Sequence, residues 1–150
     1  MATNYFLFIT NDSFDPDGSK IHAGLVLQKR LEQNIWEIYS NTANKKILKP
    51  GDLVLFYLAG SSKLAKHIVA EAKIAKVFDP PSKASQDTYG PTPERCVQFE
   101  EIKEYEKKVA LIDKFDELSF IPKNRSKWGS AVQSGCRRIL ASDYEHLKSK

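Results

Sequence analysis

Pro50-Gly51-Asp52 followed by Leu53-Val54-Leu55-Phe56-Tyr57-Leu58 decides how this chain is built. Proline presets φ and glycine accepts a positive one, so the first three residues read as a tight turn. The six that follow are apolar at every position instead of alternating, which marks a strand covered on both faces and therefore central in its sheet. Ala59-Gly60-Ser61-Ser62 then turns the chain back into His67 to Val77. There Ile68, Ala70, Ala72 and Ile74 share one face, and His67, Val69, Glu71 and Lys73 the other. The pair predicts an antiparallel hairpin whose small alanines leave room for a close neighbour.

Working outward, Tyr5-Phe6-Leu7-Phe8-Ile9-Thr10 reads as a second buried strand. Asn11-Asp12-Ser13 and Asp15-Pro16-Asp17-Gly18 form a loop. Ile21, Leu25, Leu27 and Leu31 recur at helical spacing across Ser19 to Gln33, with Gly24 as a weak or close-packing point. Ile35 to Tyr39 alternates like a strand and runs into the polar loop Ser40 to Asn44. Asp79 to Pro93 holds four of the seven prolines and is a long loop. A strand resumes at Cys96 to Phe99. Its alternation breaks at Glu100-Glu101, predicting a bulge before a further segment to Leu111. Phe115 to Leu118 reads as a helical turn, and Ser142 with Glu145 as a capping box opening a C-terminal helix. The expected architecture is α+β: one domain over residues 1–150, a curved mixed sheet or small barrel of five or six strands flanked by two or three helices.

The 150 residues are 41% hydrophobic and 28% charged, a balance that fits a folded domain and excludes disorder as the main state. No run approaches the roughly 20 apolar residues that span a bilayer. The opening MATNYFLFITND lacks a basic n-region, so a cytoplasmic location and no membrane partner are expected. Cys96 and Cys136 stand far apart without a CxxC or Cys/His cluster, which argues against structural zinc and for reduced thiols. The net charge of +4 is unevenly spread. Lys45 to Lys76 carries +5, Lys123 to Lys150 carries +5, and Glu94 to Glu117 carries −3. Brought side by side, the two basic segments would make one field for a phosphate backbone.

No phosphate loop, dinucleotide fingerprint, hydrolase elbow or zincin motif occurs. His22, His67 and His146 are isolated. The run Glu100, Glu101, Glu104, Glu106 could hold a metal, although a solvated strand face is the commoner meaning of such a run. What remains is aromatic and amide chemistry. Trp36, Tyr39, Tyr57, Phe78, Tyr89 and Trp128 fall at or near strand ends and loops, as do Asn11, Asn41 and Asn44. A planar base needs π-faces to stack on and amides along its polar edge.

The stretch NIWEIYSNTANKKILKPGDLVLFYLAG, residues 34–60, resembles the signature of EVE domains, small PUA-like domains. The likeness continues through HIVAEAKIAKVF and resumes at KWGSAVQSGCRRILASDYEHL, so it covers nearly the whole chain. The EVE family is related to YTH domains, which read a methylated adenine in RNA through an aromatic cage, and is thought to read modified bases mainly in DNA, often beside restriction functions. Carried over by position, the resemblance implies Asn11 as a base-contacting amide, Trp36 as the first cage wall and Glu37 as a second base contact. Tyr89 stands in the loop that supplies the second wall, where this chain has no tryptophan; Phe78 is the alternative. Trp128, Gln133 and Arg137 or Arg138 lie where the related fold meets phosphate.

The expectation is a non-catalytic reader that takes one base, in DNA before RNA, into a pocket of Asn11, Trp36, Glu37, Tyr39, Asn41, Tyr89 and Trp128. Lys45, Lys46, Arg137 and Arg138 would contact phosphates, with neither metal nor cofactor, and a restriction-type nuclease as a possible partner. The pocket requires the indole of Trp36 to be held open. The alternatives are an RNA-binding PUA-like module indifferent to modification, a metal-dependent nuclease or base-processing enzyme using Glu100, Glu101 or Glu104, and a protein-interaction module.

Overall fold

In the computed structural model, residues 3–38, 47–59, 66–78, 95–121 and 136–148 are described. The strands are β1 (Tyr5–Thr10), β2 (Ser13–Phe14), β3 (Lys20–Ile21), β4 (Trp36–Ile38), β5 (Leu53–Leu58), β6 (His67–Phe78), β7 (Arg95–Ala110) and β8 (Cys136–Ile139). Two α-helices, α1 (Ala23–Gln33) and α2 (Ala141–Leu147), and a 3-10 helix (Leu111–Glu117) accompany them. Six strands form one mixed sheet in the order β4-β7-β6-β5-β1-β8, with β1 parallel to β5 and every other neighbour antiparallel. The short β2–β3 ribbon stands apart from it.

The sheet is strongly curled. Four inter-strand steps separate β4 from β1, about 19 Å if the sheet were flat. Yet the rings of Trp36 on β4 and Phe8 on β1 lie 5.0 Å apart. Bulges allow the bend: β7 breaks register against β6 in three places, and Glu101 takes φ 53°, bearing out the expected irregularity at Glu100-Glu101.

Alternation along each strand then sorts two cores. The concave side collects Phe6, Phe8, Trp36, Val54, Phe56, Ala70, Ala72, Ile74 and Phe99, closed by Ala23 and Leu27 of α1. The convex side collects Leu7, Ile9, Leu55 and Tyr57 beneath Leu111, Leu118, Tyr144 and Leu147 of the 3-10 helix and α2. Because β1 and β5 serve both cores, they are apolar apart from Thr10 at the end of β1, as central strands tend to be.

Three local expectations need correction. The first helix begins at Ala23, not Ser19, since Lys20 and Ile21 pair with Ser13 and Phe14 around a turn at Gly18. Asp12, eleven residues back, accepts the Ala23 N–H at 2.8 Å and caps the helix. Ile68 does not share a face with Ala70, Ala72 and Ile74: a register shift between Ile68 and Ala70 sends it to the convex core. Finally, Ser142 is not the cap of α2. The cap is Leu140, two residues earlier, and Asp143 accepts its N–H at 3.0 Å.

Candidate nucleic-acid interface

The two ends of β1 carry most of the chemistry. At its C-terminal end, Thr10 is 1% exposed and its hydroxyl has no hydrogen-bond partner. The two-residue period puts it on the concave side with Phe6 and Phe8. Asn11 follows, exposed, its side-chain oxygen accepting the N–H of Asp12 at 2.9 Å. The Asp12 carboxylate lies 3.9 Å from Lys20 and 4.0 Å from His22.

Trp36 sits on the concave side too, but not open. The residue is 4% exposed, with Phe8, Phe56 and Phe99 at centroid distances of 5.0, 5.6 and 6.3 Å. The guanidinium of Arg30, in the last turn of α1, stands 4.6 Å over the ring. The expectation of an indole held open for a base is therefore corrected: this ring is part of the core and a planar cation covers it. Its position follows from Asn34, which ends α1 in the left-handed region at φ 54°. The Asn34 amide donates to the Phe99 carbonyl at 2.9 Å and accepts the Phe99 N–H at 2.8 Å, docking the start of β4 on β7. Alternation then turns Trp36 and Ile38 inward and Glu37 outward. Glu37 thus lies on the opposite face of β4 from the indole, and the structure does not bring those two side chains together.

At the N-terminal end of β1 lies an open groove of about 660 Å³ against the edge strand β8. Arg137, Arg138, Asn4, Tyr5, Ser119 and Phe120 line it. Arg138 donates to the Asn4 side-chain oxygen at 3.0 Å, and the Arg137 guanidinium lies 5.2 Å from the Phe120 ring centre. The Nε of Arg137 is buried with no acceptor. Asn4 also hydrogen-bonds Asp52, so it links this groove to the residue that precedes β5. The Asp52 carboxylate, fully buried, accepts the N–H groups of Asn4 (3.0 Å) and Lys49 (3.1 Å) and pairs with the Lys49 ammonium.

Other sequence candidates are placed as follows. Phe78 ends β6 half-buried, with the Lys76 ammonium 5.2 Å over its ring. Tyr57 is packed in the convex core, and burial pushes its hydroxyl up to about 12. Glu101 pairs with Lys73 at 3.0 Å, a bond that raises the lysine pKa. Among the described residues no group of three or more His, Cys, Asp or Glu is placed to hold a metal. Both cysteines are buried and form no disulfide, and desolvation pushes the Cys136 thiol up to about 12. Tyr39, Asn41, Asn44, Lys45, Lys46, Tyr89, Trp128 and Gln133 lie outside the described residues.

Sequence reading missed Thr10, Arg30, Asn34, Asp52 and Asp143. An available signal was the lone hydroxyl closing an otherwise apolar run, Phe6 to Thr10. Arg30 gave none, since its spacing to Trp36 crosses a helix end whose angle only the fold sets.

A curled six-stranded mixed sheet with helices packed on both of its faces matches a PUA-like fold. The chain belongs to the EVE domain family, which matches residues 4–148. No curated protein matches it. Among solved structures, human THYN1 in complex with DNA containing 5-methylcytosine is similar at 14% identity and TM-score 0.62, covering 99% of this chain and 100% of that one. The YTH domain of Zygosaccharomyces rouxii MRB1, in complex with N6-methyladenosine RNA, is similar at 12% identity and TM-score 0.56, covering 95% and 83%. The N-terminal domain of Staphylothermus marinus McrB is similar at 15% identity and TM-score 0.50, covering 95% and 92%.

Proposed function

We propose that this domain is a non-catalytic reader of a modified base in nucleic acid, with DNA as its substrate. The observation that carries the reading is the flat guanidinium of Arg30 stacked 4.6 Å over Trp36. The concave face supports a planar, polarisable group against the indole, and Arg30 supplies one in this structure. A base would take its place. The cation–π contact is worth about 0.5–2 kcal/mol, and base stacking about 1–3 kcal/mol. The exchange is nearly balanced, while unstacking the nucleotide costs a few kcal/mol. Affinity must then come from phosphate contacts, for which Arg137 and Arg138 are available.

The unpartnered Thr10 hydroxyl and the Asn11 amide would meet the polar edge of the base, and Tyr39, Asn41, Tyr89 and Trp128 remain the proposed rest of the pocket. Support also comes from the likeness to THYN1, which is bound to methylated DNA, and to a YTH domain bound to methylated RNA. A restriction-type nuclease acting beside the domain would supply any cleavage, in keeping with the likeness to the McrB N-terminal domain.

Fluorescence anisotropy with labelled duplexes tests this. One buried methyl is worth about 0.8 kcal/mol, close to fourfold in affinity, so duplexes with 5-methylcytosine or N6-methyladenine should bind at least that much tighter than plain ones. Arg30→Ala should raise affinity for modified duplexes by uncovering the indole, and Asn11→Ala should lower it. Equal affinity for modified and plain duplexes overturns base reading. Tighter binding of methylated RNA than of methylated DNA overturns the choice of DNA.

A further inference from the structure

The groove beside β8 is not the place where a base would meet Trp36. β1 runs from Tyr5, in the groove wall, to Thr10, beside the aromatic face. Five residue steps in a strand are about 17 Å, the length of about five stacked nucleotides along one strand of a duplex. What sits at one end of β1 does not fill the other.

We infer that this groove is a second site, apart from the aromatic face, for a phosphorylated nucleoside; it shares Arg137 and Arg138 with the phosphate contacts of the proposed reading. Its 660 Å³ falls within the roughly 300–1,000 Å³ of small-ligand sites. Two guanidiniums line it, and their donors match phosphate oxygens in pairs. Consecutive residues of a strand point to opposite faces, so two successive arginines can share one cavity only where it wraps the sheet margin, as at this edge strand. Among the described residues no carboxylate pairs with either one: Arg138 has the neutral Asn4 oxygen, and the buried Nε of Arg137 has nothing. Asp143, the nearest buried acid in sequence, is committed to the N–H and hydroxyl of Ser119 and the N–H of Leu140.

Beside the charges lie flat apolar surfaces. Phe120 lies under Arg137, and Tyr5 is held in place by Tyr144 at 5.2 Å. Leu140, 58% exposed, extends the wall. Phosphate between the arginines and a base against Tyr5 or Phe120 fits both halves of the lining. An inorganic anion would use only one half, and a purely apolar ligand would leave the arginines unused. The nucleoside phosphate can arrive as a free mononucleotide or as a residue of a bound strand.

Titrating the ¹⁵N-labelled full chain with dAMP, then inorganic phosphate, then a 5′-phosphorylated tetranucleotide tests the site. dAMP is expected to shift the amides of Ser119, Ile139 and Leu140, and the Arg137→Ala/Arg138→Ala variant to weaken it at least tenfold. Phe120→Ala should weaken dAMP but not phosphate. Tighter binding of the tetranucleotide than of dAMP supports a strand residue as occupant, and the reverse supports a free nucleotide. Phosphate binding as tightly as dAMP overturns the nucleoside half, and unchanged groove amides with all three probes overturn the site. The methyl preference of long duplexes is a separate readout, since the double arginine variant should weaken modified and plain DNA alike. Loss of that preference with an intact dAMP site would sink the reader and leave the groove standing.

Discussion

The two ends of β1 are built on opposite principles. At Asn4 and Tyr5 polar groups are tied into a network, although the buried Nε of Arg137 stays outside it: Asp52 gathers Asn4 and Lys49, and Asn4 in turn holds Arg138. Cations stand there in the open. At Thr10 the polar group is buried and unsatisfied, opposite Leu58 in the sheet. A buried hydroxyl without a partner costs free energy that a folding optimum would remove. The start of the strand is therefore arranged for stability around charge, and its end carries a deficit that a bound polar edge would fill.

The largest blow to this contrast is Trp36→Ala. Removing a ring packed on Phe8, Phe56 and Phe99 should cost about 3–5 kcal/mol in urea denaturation; a cost near zero would show that the concave end is not a true core. Asp52→Ala comes next. It strands the Asn4 and Lys49 N–H groups, and a loss of about 3 kcal/mol is expected. Thr10→Val sharpens the contrast by sign: it should stabilise the protein by about 1 kcal/mol while weakening binding to modified duplexes. Stabilisation with unchanged binding would make the lone hydroxyl an ordinary defect.

The smallest effect is on pH dependence. Cys136, beside Phe8 in the sheet, has its thiol pushed up from 9.0 to about 12 by burial, so the folded chain keeps a proton that the unfolded chain releases. Stability should be level through neutral pH on this account, then fall as pH rises from about 9 toward 12. Comparing denaturation midpoints at pH 7 and pH 10 checks it, with Cys136→Ala reducing the drop.

Much of the architecture was legible because it rests on local patterns. The unbroken apolar runs at Tyr5 and Leu53 announced the two strands that serve both cores, and the paired Glu100-Glu101 announced the bulge. Illegible features all depended on distant partners. Asp12 caps a helix eleven residues on, and Asn34 anchors a strand sixty-five residues away. The same holds at the site. Arg137 and Arg138 were visible as a basic pair, but nothing local told that Tyr5 and Phe120 would join them. Trp36 looked available because a polar residue, Glu37, follows it, whereas its neighbours in space come from β1, β5 and β7.

The pairing of β1 with the edge strand β8 also sets a timetable. β1 comes from the first ten residues, and its outer neighbour β8 from residues 136–139. During synthesis, one margin of β1 stays unpaired until residues 136–139 have left the ribosome. A bare strand of Tyr-Phe-Leu-Phe-Ile is a template for foreign strands, so chains halted before β8 are the form of this protein most in need of a chaperone.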